Sequence, residues 1–167
     1  GAIGAPPLPM DFAEWGRHLA ALAEGPEAAN DLLRQYGAKA FAHRPALDRW
    51  CALEVVAHLV DADLEVFTPR LERLLTESAP QFSDVDLVSR RRGAPIPAEA
   101  PGEGIARWRG TRAAGLARLA PCGRSEWNRR GMHERRGSHS LADMVRTWVD
   151  HDLSHRRQMR LALEGAR

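Results

Sequence analysis

Lysine, cysteine and long hydrophobic runs are scarce in this sequence of 167 residues. Cys51 and Cys122 are its two cysteines, and because they lie far apart without a CxxC pair, they exclude a disulfide framework. No apolar stretch approaches the roughly 18 residues that a membrane-spanning helix needs, so no such helix is expected. No signal peptide is evident, and we therefore expect a reduced, cytoplasmic environment.

Positive charge in this chain comes almost entirely from arginine. Lys39 is the one lysine among 24 basic residues, and the formal net charge is +2. The arginine pairs and triplets are interleaved with acidic residues and form no single basic face, which favours a solvated surface over a nucleic-acid interface. Nucleic-acid binding through the Arg-rich loops is the least favoured alternative.

Length and composition are those of one globular domain. Hydrophobic residues make up 44% and charged residues 28% of the chain, which is ordinary for such proteins. We expect residues 1–10 to form a flexible lead-in and residues 11–167 to fold as a single domain.

Hydrophobic periodicity predicts four helical stretches and little strand. These stretches cover residues 11–41, 51–76, 104–119 and 140–164. Because all four are largely amphipathic, we predict an all-α fold, an antiparallel four-helix bundle. The Pro- and Gly-rich stretches at 77–104 and 121–138 are expected to be irregular, and a loop as long as the first often covers a site.

Proline, glycine and capping residues predict where these helices begin or break. Gly25-Pro26 is expected to divide the first stretch into a short helix and a longer one. Pro69 is expected to kink or interrupt the second stretch, since it has no amide hydrogen to donate. Ser140 with Asp143 predicts a capping box at the start of the last helix.

The last helical stretch carries histidines where its buried stripe should continue. Steps of three and four residues along that stripe lead from Trp148 to His151, Asp152 and His155. Residues four apart on a helix have Cβ atoms roughly 5–6 Å apart, so both imidazoles can reach one ion. An isolated HxxxH pair is nevertheless more often a surface pair or a hydrogen-bonded core pair than a metal site.

His58 in the second helical stretch changes this balance. It lies between Val55 and Ala62 on another inward-facing stripe. Histidines from two helices that point into one bundle core are the pattern of a bundle metal site. Three neutral imidazoles also leave a divalent ion with open positions for water or substrate, as in catalytic rather than structural sites. We therefore predict a divalent metal ion bound by His58, His151 and His155.

Three carboxylates are candidates to orient the ligand rings. Glu54 and Asp61 lie four residues before and three residues after His58, and Asp152 lies next to His151. Metal-binding histidines commonly donate their second ring N–H to such groups. Glu54 has an alternative role as a helix cap, and all three are alternatively surface hydrogen-bonding partners.

Other residues are candidates for the surroundings of the site. Gln158 lies one turn beyond His155. Trp148 is either a pocket wall or, more often for such residues, a core residue. His133 either reaches over the end of the bundle towards the site or is a solvated loop residue. No general acid or base is assigned, because that assignment needs geometry first.

Three segments resemble the DinB/YfiT-like proteins. RWCALEVVAHLVD at 49–61 is similar to the W-S-x-x-E-x-x-x-H-L-x-D opening of these proteins. The run from Trp127 to Leu141 resembles their approach to the last helix, and HDLSHRRQ at 151–158 resembles their H-D-x-x-H-x-x-Q ending. Order and spacing agree from about residue 19 to residue 164.

The resemblance implies a four-helix bundle that binds a divalent metal, often zinc or nickel, through three histidines. Matched by position, these are again His58, His151 and His155. The resemblance also implies a homodimer and, from the better understood members, a low-molecular-weight thiol cosubstrate such as mycothiol, bacillithiol or glutathione. Cys51 departs from the pattern, because the family usually has a serine there.

Two classes of function fit the same ligands. One is a metal-dependent enzyme with a small-molecule substrate, either a hydrolase or a low-molecular-weight-thiol S-transferase. The other is a non-catalytic metal- or ligand-binding bundle that serves in a stress response. The sequence does not decide between them.

Overall fold

The computed structural model describes residues 9–166, so most of the expected flexible lead-in lies outside the described residues. Four long helical segments form a bundle: α1 (Phe12–Tyr36); α3 (Ala52–Ala62), continued by a π-helix (Asp63–Phe67) and α4 (Thr68–Thr76); α6 (Pro101–Leu119); and α8 (Leu141–Glu164). Helices α1 and α3 each pack against both α6 and α8. The predicted four-helix bundle is confirmed, and no helix among these residues is long and apolar enough to cross a membrane.

The connections contain more regular structure than the sequence predicts. Short helices are α2 (Ala38–Phe41), α5 (Leu87–Arg92) and α7 (Arg124–Trp127), and the strands are β1 (Gln81–Phe82), β2 (Arg130–His133) and β3 (Gly137–Ser140). Strand β2 lies between β1, to which it is parallel, and β3, to which it is antiparallel. The expectation that both connecting stretches are irregular is therefore wrong in part, because elements this short show no clear hydrophobic period.

Helix α1 runs through Gly25 and Pro26 without the expected break. Both residues are buried inside the helix. A Cβ atom at Gly25 would lie 2.9 Å from Oδ2 of Asp152 and 2.9 Å from Cη2 of Trp108. Glycine thus permits a close approach of α1 to α6 and α8, and this tertiary packing overrides the low local helix propensity of the pair.

The expected interruption at Pro69 takes the form of a π-helical turn. In this turn the N–H of Thr68 donates to the carbonyl of Asp63, five residues back, instead of four. Pro69 then occupies the first turn of α4, where its missing amide hydrogen is least disruptive. The chain therefore continues as one long segment.

The predicted capping box at the start of α8 is confirmed. The N–H of Asp143 donates to Oγ of Ser140, and the N–H of Ser140 donates to Oδ2 of Asp143, both over 3.0 Å. These bonds satisfy two amides that the first helical turn leaves unpaired. The box fixes the start of the helix that carries the HxxxH pair.

A buried cluster of charged side chains joins the four helical segments. Arg112 on α6 donates from Nη1 to the carbonyl of Leu22 on α1 over 2.7 Å, and from Nη2 to Oδ1 of Asp152 on α8 over 2.8 Å. It also donates to both carboxylate oxygens of Asp63 on the π-helix, over 3.1 and 3.2 Å. Nε1 of Trp148 donates to the same Asp63 carboxylate over 3.1 Å. One guanidinium therefore contacts every segment of the bundle.

This charged cluster lies where two apolar cores meet. The guanidinium carbon of Arg112 is 5.2 Å from the ring centroid of Trp108 and 5.3 Å from that of Trp148. Trp108 belongs to a core with Phe41 and Met159, whereas Trp148 belongs to a second core with Trp127 and its neighbours. The aromatic faces shield the cluster from water and add cation–π attraction.

Arg112→Ala is expected to destabilise the protein by about 3–5 kcal/mol, because it leaves two carboxylates buried without their cation. Urea unfolding followed by circular dichroism measures the change. Arg118→Ala is the matched control, since Arg118 lies on the same helix and pairs with Glu72 at the surface. We expect a much smaller loss there. Equal losses in the two variants would show that the cluster is not central to stability.

Gly25→Ala is expected to cost about 1–3 kcal/mol, because the new methyl group must displace a packed tryptophan and a buried carboxylate. Gly16→Ala is the control in the same helix, since no atom lies within 4 Å of a Cβ at that position. It should raise stability by about 0.5–1 kcal/mol through better helix propensity. The two thermal midpoints should therefore move in opposite directions, and a rise in both would contradict the close approach.

Candidate metal centre

The structure brings His58, His151 and His155 together. His58 lies on α3, and the other two lie one turn apart on α8, which packs against α3. Each ring offers a nitrogen, and these three nitrogens all lie within 4.8 Å of one another. The Nε2 atoms of His58 and His151 are 3.3 Å apart. The histidines that the sequence stripes indicate thus converge on one point inside the bundle.

Burial keeps these imidazoles neutral. It lowers the pKa of His58 and of His151 to about 3 each, and the nearby ring of His155 adds to both shifts. Burial also lowers the pKa of His155, while its hydrogen bond to Gln158 opposes that shift. Each ring therefore retains an unprotonated nitrogen lone pair at neutral pH, as a metal ligand must.

Aromatic side chains on both sides orient the rings. The ring centroid of Trp50 lies 5.1 Å from that of His58 and 6.4 Å from that of His155. On the other side, the ring of Phe67 meets the ring of His151 edge-on at 5.3 Å. The histidine rings are thus packed between a tryptophan and a phenylalanine.

Hydrogen bonds to the outer ring nitrogens are unequal. Nδ1 of His155 lies 2.8 Å from Oε1 of Gln158, which leaves Nε2 of this ring as its available ligand atom. Nδ1 of His58 and Nδ1 of His151 are buried and have no hydrogen-bond partner among residues 9–166. Gln158, and not one of the three candidate carboxylates, is therefore the residue that orients a ligand ring by a hydrogen bond.

Glu54 occupies the alternative role that the sequence suggested, as a helix cap. Its carboxylate accepts hydrogen bonds from Nε and Nη2 of Arg44 over 2.8 and 2.9 Å. It also accepts the backbone N–H of Cys51 over 3.2 Å at the start of α3. Its charge is thus directed at Arg44 and the helix terminus, and not at His58.

Asp61 and Asp152 are likewise directed elsewhere. The Asp61 carboxylate lies 3.6 Å from Arg91 and 3.7 Å from Arg90, both on α5. Asp152 belongs to the charged cluster, where burial raises the pKa of its carboxyl to about 6 while its hydrogen bond to Arg112 acts against the shift. In the part of the chain that the structure describes, neither carboxylate is bonded to a ligand ring.

Trp148 supports the site from behind, whereas His133 lies outside it. Trp148 is fully buried and stacks on Phe67 with 4.9 Å between ring centroids, so it backs the ring that contacts His151. His133 is buried in β2, where its Nδ1 accepts the backbone N–H groups of Arg135 and Arg136. It is therefore a structural residue of the β2–β3 turn, neither solvated nor part of the cavity wall.

Two cavities open onto the histidines. A cavity of about 570 Å³ is lined by His58 and His151, and a second of about 320 Å³ is lined by His155. Val88 of α5 lines both, so α5 lies between the two openings. Helix α5 belongs to the stretch at 77–104, which was expected to be a loop of the kind that often covers a site. Residues of this stretch do line the cavity beside the histidines.

Sequence reasoning missed the cationic wall of the larger cavity. Arg70 on α4 lines this cavity together with Arg135 and Arg136 of the β2–β3 hairpin. Arginine is too common in this chain for any one position to stand out. The hairpin also reaches the site only through tertiary packing, which leaves no periodic signal.

Comparisons with known proteins agree with this architecture. The fold is similar to that of YfiT from Bacillus subtilis, described as a probable metal-dependent hydrolase with an unusual four-helix bundle topology. The two share 16% sequence identity and a TM-score of 0.78, over 95% of this chain and 90% of that one. No curated protein matches the sequence significantly. The sequence profile of the DinB superfamily matches residues 9–159, and the chain therefore belongs to the DinB superfamily.

Proposed function

We propose that His58, His151 and His155 bind one divalent metal ion and that this protein is a metal-dependent enzyme acting on a small molecule. The observation that carries the proposal is the 3.3 Å separation of two buried Nε2 atoms. Two nitrogen ligands at about 2.0–2.1 Å from a tetrahedral ion lie about 3.3–3.4 Å from each other. The similarity in fold to YfiT supports the same proposal.

The donor set favours zinc or nickel over a hard cation. Imidazole nitrogen suits zinc, copper, iron and nickel, whereas magnesium and calcium prefer oxygen ligands. The nearby carboxylates are bonded to arginines, as described above, which leaves the three neutral imidazoles as the ligands. Three protein ligands are the number typical of a catalytic site, because they leave a coordination position open.

The larger cavity gives a small molecule access to these ligands. Its volume of about 570 Å³ falls within the range of small-molecule pockets, about 300–1,000 Å³. A divalent ion held by three histidines supplies Lewis-acid activation of water or of a thiol. We therefore propose a hydrolase or an S-transferase that uses a low-molecular-weight thiol as cosubstrate. The homodimer implied by the sequence resemblance stays a prediction.

The purified protein is expected to bind one zinc or nickel ion per chain, and His58→Ala, His151→Ala and His155→Ala should each abolish stoichiometric binding. Elemental analysis and calorimetric titration of chelator-treated protein measure this. Gln158→Ala should weaken binding by about 10–100-fold, because it removes only the group that orients His155.

His43→Ala is the control for the loss of an imidazole, since His43 is exposed. It should bind the metal as tightly as the wild type does. Unchanged metal binding in the three ligand variants, or no binding by the wild type, would disprove the proposed site.

Metal-loaded protein is expected to show chelator-sensitive turnover that is absent from His155→Ala. A panel of chromogenic esters and amides reports hydrolysis, and a panel of electrophiles assayed with mycothiol, bacillithiol or glutathione reports thiol transfer. Turnover without thiol identifies a hydrolase, and strict dependence on thiol identifies a transferase. Tight metal binding without turnover in either panel would contradict the enzyme proposal and favour a non-catalytic metal- or ligand-binding bundle.

A further inference from the structure

We propose that the larger cavity has an anion-binding end, formed by Arg70 and Arg136, and that the molecules bound beside the histidines are small organic anions. This inference rests on the proposed function, because it names the substrate class of that site.

The charges of the cavity wall do not cancel. Three arginines and two aspartates line it: Arg70, Arg135, Arg136, Asp84 and Asp86. The carboxylate of Asp84 contacts Arg135 and lies 3.2 Å from Nε2 of the buried His133. The carboxylate of Asp86 caps α5 by accepting the backbone N–H and the hydroxyl of Ser89. The Asp84 charge is therefore paired with Arg135, and the Asp86 carboxylate is turned onto the start of α5, so three arginines against two aspartates leave the wall with a net positive charge.

Arg70 and Arg136 are held by neutral groups instead. Nη2 of Arg70 donates to the carbonyl of Ser83 over 2.7 Å, and Nη1 of Arg136 donates to Oγ1 of Thr147 over 3.1 Å. Within residues 9–166, the hydrogen bonds of both guanidiniums go to a backbone carbonyl and a hydroxyl, and neither forms an ion pair. The two side chains are thus fixed in position without a carboxylate bonded to either guanidinium.

Mutual repulsion between Arg70 and Arg136 favours the binding of an anion between them. Burial lowers the pKa of the Arg70 guanidinium, and the positive charge of Arg136 lowers it further, while Asp84 acts in the opposite direction. An oxyanion near both groups removes that repulsion and accepts charge-assisted hydrogen bonds from two planar donors. Arginine is the side chain best suited to hold carboxylate or phosphate in this way.

The rest of the wall defines the body of the ligand. Apolar side chains of Val66, Leu87, Val88 and Met144 line the same cavity as His58 and the two arginines. The matching molecule has an oxyanion at one end, an apolar body, and a reacting group that reaches the histidines. Carboxylates and phosphate monoesters both supply such an oxyanion.

Three probes of similar size test the inference: phenylacetate, phenyl phosphate and the neutral phenylacetamide. Calorimetric titration, on zinc-loaded and on chelator-treated protein, should show at least one anion binding about tenfold or more tightly than the amide. The stronger of the two anions identifies a carboxylate or a phosphate ligand. Binding of all three probes with the same affinity would overturn the proposal.

Arg70→Gln and Arg136→Gln should each weaken anion binding by about tenfold or more, and should leave binding of the amide unchanged. Arg136 is exposed in the hairpin, so its variant is expected to fold normally, which circular dichroism checks. Arg118→Gln is the control, because it removes an arginine that lies outside the cavity wall. Equal anion affinity in the wild type and both cavity variants would disprove the subsite.

The metal ligands separate this inference from the proposed function. In chelator-treated His155→Ala, anion binding should persist, because His155 lines the second cavity and not the larger one, and the arginines hold the oxyanion. If the wild-type protein binds anions but no metal, the proposed function is overturned and the anion-binding subsite is retained. If the wild-type protein binds metal but shows no preference for anions, the subsite is overturned and the proposed metal site is retained.

Discussion

One buried guanidinium, that of Arg112, connects the helical segments of this bundle. Arg112 is hydrogen-bonded to α1, the π-helix and α8 from its own position on α6. A cation and two carboxylates are tolerated in an apolar interior only as a complete, well-bonded set, and we infer that the cluster favours one relative placement of the segments. His151 directly precedes Asp152, and His58 lies five residues before Asp63 on the same helical segment. The interaction that sets the helices in register therefore also sets the distance between the histidines.

Around the histidines, packing does much of what hydrogen bonds do in many metal sites. Trp50 and Phe67 border the rings, and Trp148 backs Phe67. The same burial that fixes the rings lowers the pKa of His58 and His151 to about 3. The burial that makes these histidines part of the core therefore also keeps them unprotonated and able to bind a cation. Gln158 supplies the one orienting hydrogen bond within the described residues.

The long helices and the three converging histidines were predictable from sequence, because an amphipathic stripe shows which side chains point inward. The partners of the nearby carboxylates were not. Glu54 meets Arg44 and Asp152 meets Arg112, and such pairings depend on the positions of separate segments. For the same reason Gly25, which reads locally as a helix break, is a contact point between helices. The positions of the short strands and of the arginines in the cavity wall likewise depend on tertiary structure. The sequence shows no hydrophobic periodicity that would predict them.

The π-helix has a consequence for how this chain can change in length. Its five residues, Asp63–Phe67, accommodate one residue more than an α-helical path would. Deleting a single residue there would restore ordinary α-helical winding and leave α4 on nearly the same face of the bundle, because the π-turn and the shorter α-helical path cover about the same rotation. Leu71 and Leu74 would therefore stay buried. A deletion inside α3 would instead rotate the residues beyond it by about 100°. Evolutionary loss of one codon should therefore be tolerated better at this turn than inside α3.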